Sequence, residues 1–236
     1  GIACGVFGIN VGHELGHRSK WYEQWMAKAL LLSSLYMHFF IEHNRGHHKH
    51  VATVKDPATA KYGQMLYSFW ARSVFSGYIS AWNLEFNRLR KKNRAKFHWT
   101  NQMIHYFLFQ FFLLLIIFLV FDAKIMLYYW ISAIFGILLL ETVNYIEHYG
   151  LMRKTGPGGN FLNVLPVHSW NSNHPLGRSI LFELSRHSDH HYNASRKYQI
   201  LRHFNESPQM PSGYPGMMVL ALIPPLWFKV MHPELN

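Results

Sequence analysis

Seventeen of the 236 residues are histidine, and their spacing is more informative than their number. His13 and His17 in HELGH stand four apart, which on a helix puts both imidazoles on one face, about a turn from each other. His43, His47 and His48 in HNRGHH repeat that pair with a neighbour, and His187, His190 and His191 in HSDHH combine the i, i+3 and i+4 relations. His148 stands apart from these groups in NYIEHYG. Any one pair could be surface or hydrogen-bonded histidines. Three groups plus His148 give nine imidazoles in one chain, and imidazole binds zinc, copper, iron and nickel. A tetrahedral zinc site takes at most four protein ligands, so nine point to two metals with four or five each, and iron fits better than zinc.

Carboxylates stand close to these groups. Glu141, Asn144 and His148 are spaced i, i+3, i+7 and share a helix face, which puts a carboxylate inside an apolar stretch below one of the histidines. An ionisable residue there is a functional candidate, and Glu141 is expected to accept the proton on a ligand's distal ring nitrogen and so fix its tautomer. A protonated Glu141, or one paired with an arginine at a helix contact, is the alternative. Glu14, Glu42, Glu147 and Asp189 invite the same reading.

The elements that must position these residues are helical. Residues 103–121 run without a formal charge, enough at helical rise to cross about 30 Å of hydrocarbon. After Asp122, Ala123 and Lys124 a second apolar stretch covers 125–146, so the two form a transmembrane hairpin. Gly1 to Gly12, apolar, Gly-rich and without an initiator Met, reads as the end of an earlier span, and the chain is therefore read as a fragment. Residues 21–40 and 62–90 are expected to be helices, Asp56-Pro57 a turn, 156–176 a loop, and 214–231 an apolar segment broken at Pro224-Pro225. The fold class is thus an all-α, polytopic membrane protein of one domain, with helices carrying the histidine groups.

Charge supplies an orientation. Lys and Arg number 23 against 12 Asp and Glu, a net +11. Arg88, Arg90, Lys91, Lys92, Arg94 and Lys96 precede the first span and Arg153 and Lys154 follow the second, which places both flanks and the histidines in the cytoplasm by the positive-inside rule. That rule accounts for the basic excess without a nucleic-acid partner. With half the residues hydrophobic the chain is not disordered, and Cys4 alone forms no disulfide framework.

HELGHR at 13–18, EHNRGHHKHVAT at 42–53, NYIEHYGL at 144–151 and RHSDHH at 186–191 closely resemble the motifs of the integral-membrane alkane hydroxylases. HSWNSNH at 168–174, PSGYPGMM and PPLWFKVM extend the resemblance over nearly the whole chain, up to its last residues, so a C-terminal piece is also read as missing. Where that family often has Leu-Gln-Arg before its third box, this chain has Leu184-Ser185-Arg186, which leaves the histidines in place. The resemblance implies a membrane histidine-box enzyme with two non-haem iron ions. The matching ligands are His13, His17, His43, His47, His48, His148, His187, His190 and His191. Of the others, His50, His168 and His174 are candidates for a role near the site, while His38, His98, His105, His203 and His232 are read as structural.

The implied reaction is O₂-dependent terminal hydroxylation of medium-chain n-alkanes to primary alcohols in the bacterial inner membrane. Rubredoxin, itself reduced by rubredoxin reductase, would supply the electrons, and membrane lipid would surround the spans. The nearest rivals are a xylene-type methyl hydroxylase and a fatty-acyl desaturase of the same superfamily. His13-Glu14-Leu15-Gly16-His17 also fits the HExxH pattern of zinc proteases, which leaves seven histidines unexplained. A metal transporter would be expected to place its ligands within the spans rather than at their ends.

Overall fold

The computed structural model describes residues 1–235. Helices make up its regular structure, and among the described residues there is no strand, only isolated bridges at Thr155–Phe161 and Asn171–Gln209. The chain divides into two compact units, residues 1–46 with 75–140, and residues 47–74 with the chain from 141 on.

The first unit begins with a π-helical segment, Ala3–Ile9, that runs straight into α1, Asn10–Gly16. α1 lies against α2, Trp21–Leu32; a Cβ on Gly12 would come within 3.2 Å of the Ala27 carbonyl, so glycine sets how closely these helices approach. The expected helix over 21–40 is in fact two elements. α2 stops at Leu32, Leu35 takes a positive φ of 53°, and α3 resumes at Phe39–Glu42. Lys28 keeps a place on this apolar helix by setting its ammonium over the rings of Trp25 and Phe40, each 4.8 Å away. Ile9, Leu31, Met37, Phe40, Ile41, Met103 and Leu140 form the core of this unit.

The long helices follow. α5 spans Leu66–Lys91, α6 Gln102–Val120 and α7 Ala123–His148. α5 starts four residues later than the sequence suggests because Gly63, at φ 72°, holds residues around 62–65 in a turn. α6 is started by the buried Asn101, whose side-chain oxygen accepts from the backbone N–H groups of Met103 and Ile104. Beside it the fully buried Glu85 accepts from the Gln102 N–H at 2.8 Å and from the Arg45 and Arg88 guanidiniums. Burial would push the Glu85 carboxyl up, but these hydrogen bonds hold it below the ordinary carboxylate value. α6 and α7 are long and apolar enough to cross a membrane, and side chains such as Phe111, Ile116, Leu119 and Ile131 are exposed along them.

The second unit packs the end of α7 against α10, Tyr214–Ala221, and α11, Pro224–Met231. The proline pair breaks the apolar segment as expected, and it supplies the first turn of α11. Trp227 is buried against Tyr145 and Tyr149, with ring centroids 5.2 and 5.3 Å apart. The loop 168–174 acts as a brace. Trp170 donates from its backbone N–H to the Glu147 carbonyl and from Nε1 to the Tyr149 carbonyl, both at 2.9 Å. Its neighbour Asn171 accepts from the Ser188 N–H at the start of α9, His187–Tyr192. One loop thereby ties the end of α7 to the helix that carries the last histidine group.

His38, buried in the first unit between the rings of Tyr36 and Tyr78, provides a pH test. Burial lowers its imidazole to about 3. The unfolded chain binds a proton there below pH ~6.5 while the folded chain does not until far lower, so this stability is complete above ~6.5 and falls with acidification. The expected loss from His38 is about 2 kcal/mol at pH 5. Denaturation midpoints compared between pH 7 and 5 should move less in His38→Gln than in the parent; equal movement would contradict this.

Candidate metal centre

In the first unit, α1 places His13 and His17 one turn apart, and His43 reaches the same place from the start of a π-helical turn, His43–His47. The Nε2 atoms of His17 and His13 are 3.4 Å apart, and those of His43 and His17 3.2 Å. Phe39 stacks on the His43 ring at 4.7 Å and limits its rotation. The carboxylates near this trio have partners of their own. Glu14 pairs with Arg18, and the buried Glu42 accepts from the Ser80 hydroxyl at 3.4 Å. A Cβ on Gly46 would come within 2.5 Å of the Glu42 carboxylate oxygen, so a larger residue there would displace that side chain.

The second unit holds the larger group. His47, His148, His187 and His191 are all buried, and their ligand atoms lie within 4.8 Å of one another. Nε2 of His191 is 2.9 Å from that of His187 and 3.2 Å from that of His47, while His187 and His148 approach to 3.1 Å. His43 and His47, four apart, would share a face on an α-helix. The π turn between them changes the rotation per residue, so His43 joins the trio and His47 the quartet. The adjacent His48 turns its Nε2 to that of His190, 3.2 Å away.

Ring nitrogens that converge this closely either share protons in N–H···N pairs or turn their lone pairs toward a common cation. The three closest contacts, 2.9–3.2 Å, are short enough for these nitrogens to share one cation at bonds of ~2.1 Å. Burial, followed by the surrounding imidazoles, pushes the His191 imidazole well below its ordinary pKa, which keeps it neutral and able to donate a lone pair.

Two carboxylates complete the quartet. Asp56 Oδ2 lies 2.9 Å from His47 Nδ1, and it also accepts from the Thr59 hydroxyl at 2.5 Å while Oδ1 takes the Ala58 N–H. Burial alone would raise the Asp56 carboxyl, but His47 and Thr59 hold it below the ordinary value. With its proton held at Nδ1 by Asp56, His47 presents the bare Nε2 to the group. Glu147, also buried, sets Oε2 3.2 Å from His187 Nε2.

Asp56, read from the sequence only as part of a turn, meets a quartet histidine at its distal nitrogen. Glu141 is buried with the Asn144 amide at 3.3 Å. Asp189 is taken by Arg196 and Arg202, so it anchors α9 to the following loop. His168 accepts the Leu165 N–H at Nδ1, and His174 precedes α8, Pro175–Ile180. Neither these nor the half-buried His50 joins the quartet.

Residues 1–221 match the fatty acid desaturase family. The chain belongs to that family. Within it, the whole chain is 44% identical to alkane 1-monooxygenase 2 of Pseudomonas aeruginosa and 44% identical to alkane 1-monooxygenase 2 of Alcanivorax borkumensis. Identity is 30% to the xylene/toluene monooxygenase hydroxylase component of Pseudomonas putida, over 98% of the chain. The chain spans 63%, 62% and 62% of the length of these three proteins.

Removing Asp56 tests the orienting bond. Asp56→Ala should weaken metal binding about 10- to 100-fold, measured by competition with a chelator. Affinity equal to the parent's would show that His47 does not depend on Asp56.

Proposed function

We propose that the chain is the metal-bearing part of a membrane alkane hydroxylase, which converts medium-chain n-alkanes to primary alcohols with O₂ at two non-haem irons. The observation that carries this reading is the buried quartet of imidazoles with its Asp56 partner, in a chain 44% identical to two alkane 1-monooxygenases. The quartet would hold one of the two irons. When bound, the iron pair supplies the activation of O₂ for insertion into a terminal C–H bond. The chain's own contribution is ligand geometry and exclusion of water. Asp56 keeps the proton of His47 on Nδ1, Phe39 holds the His43 ring, and the buried quartet has little contact with solvent. The apolar surfaces of α6 and α7 suit a hydrocarbon that arrives dissolved in the bilayer. The electron donor in this proposal is rubredoxin, an acidic protein that the basic residues 88–96 would attract on the cytoplasmic side of the inner membrane.

A methyl-aromatic substrate is the second reading, supported by the xylene/toluene relative, and the higher identity to the alkane enzymes places it behind the first. The test uses this segment in place of the corresponding part of a full-length relative, with ¹⁸O₂, an electron-donor chain and octane. Labelled 1-octanol is expected. Labelled benzylic alcohol from xylene with none from octane would select the second reading, and an unsaturated acyl chain as the sole product would select a desaturase. His187→Ala should abolish the product and lower the iron content; iron and turnover at the parent level would remove the quartet from the site.

A further inference from the structure

In the second unit, one residue after the quartet's His148, the phenol of Tyr149 is fully buried. Its oxygen accepts the Gly63 N–H at 2.9 Å and lies 2.9 Å from His232 Nε2, to which the hydroxyl donates. His232 is sandwiched by aromatic rings, Tyr62 at 4.2 Å and Phe228 at 5.1 Å, both within about 22° of parallel. Tyr62 is 57% exposed, so the stack runs from a buried phenol to solvent. On the inner side Tyr149 follows His148 directly in the chain, and Trp227 and Tyr145 pack against its ring at 5.3 Å.

A phenol gives up an electron readily only if its proton leaves at the same time, because the oxidised phenol is a far stronger acid than the phenol. An imidazole nitrogen at 2.9 Å is within proton-transfer reach. The Gly63 N–H on the same oxygen fixes the hydroxyl toward His232. Neither contact is needed to hold a metal, and the reaction proposed above uses neither residue.

We propose that Tyr149 and His232 form a proton-coupled electron donor that discharges the iron centre when O₂ is activated with no substrate in place. This rests on the reading of the histidines as an iron site. The iron-based oxidant gains one electron from Tyr149. The phenolic O–H bond breaks, its proton forms an N–H bond at His232 Nε2, and a neutral phenoxyl and an imidazolium remain. A thiol-class reductant in solvent returns one electron by way of Tyr62, releasing its own proton to water and leaving as a thiyl radical that couples to a disulfide; His232 returns the proton, and Tyr149 is restored. Each turn spends one oxidising equivalent on a replaceable electron instead of on a ligand histidine, and two turns discharge a centre that holds the two equivalents of a hydroxylation.

The test takes the iron-loaded protein in its full-length frame, reduced, mixed with O₂ without alkane and freeze-quenched. Electron paramagnetic resonance should show a phenoxyl radical that changes on ring-deuterated tyrosine labelling. Tyr149→Phe should lose it while keeping iron content and the yield of labelled alcohol with octane, and should inactivate faster over repeated O₂ cycles without alkane. His232→Phe, which keeps an aromatic ring in the stack without a proton acceptor, should also lose the radical, and it serves should Tyr149→Phe not fold. Labelled alcohol from the parent with no radical, or with a radical that persists in both variants, would overturn the pair and leave the hydroxylase reading standing. Should the parent make no alcohol, that reading fails instead. The pair is then decided by flash oxidation with photogenerated ruthenium(III) tris-bipyridine, where a phenoxyl signal missing from Tyr149→Phe supports it and an unchanged signal overturns it.

Discussion

Burying four imidazoles with their nitrogens 2.9–3.2 Å apart is the constraint on which much of the second unit depends. Taken out of water, ring nitrogens crowded this closely lose the hydration that would satisfy them, and a cation among them would offset that cost. The surrounding structure fits this demand. Asp56 stands at the distal nitrogen of His47 as a buried anion, itself hydrogen-bonded by Thr59 and Ala58. Glu147 adds a second buried carboxylate beside His187. A divalent or trivalent metal would be balanced in part by the Asp56 charge, whereas neutral packing would leave that charge uncompensated.

Holding the four rings together takes several elements that are distant in sequence. His47 comes from the end of a π-helical turn, His148 from the last turn of α7, and His187 and His191 from α9. The 168–174 loop links the last two, with Trp170 bonded to the end of α7 and Asn171 to the start of α9. In the first unit the glycines of α1 and the Glu85 network at the start of α6 order the framework that carries His13, His17 and His43.

Features governed by local chemistry were legible in the sequence. The apolar stretches 103–121 and 125–146 correspond to α6 at Gln102–Val120 and α7 at Ala123–His148, because uninterrupted apolar composition and a charged break define both. The i, i+4 spacing also places His13 beside His17 and His187 beside His191. Features that distant contacts decide leave no such mark. Nothing local marks the π turn that separates His43 from His47, or the positive φ at Leu35 that ends the second helix early. Asp56 looked like a turn residue because its partner His47 is brought to it only by folding, and Asp189 is claimed by arginines further along the chain. The pairing of Tyr149 with His232 spans 83 residues and leaves no periodic trace.

The central claim is that these histidines hold iron, and the most direct measurement is iron K-edge X-ray absorption on the iron-loaded protein, alongside the iron content of His47→Ala and His191→Ala. The account predicts an imidazole-rich nitrogen shell at about 2.1 Å, with iron lost from both variants. An oxygen-only shell without imidazole scattering, or iron content in both variants equal to the parent's, would contradict it.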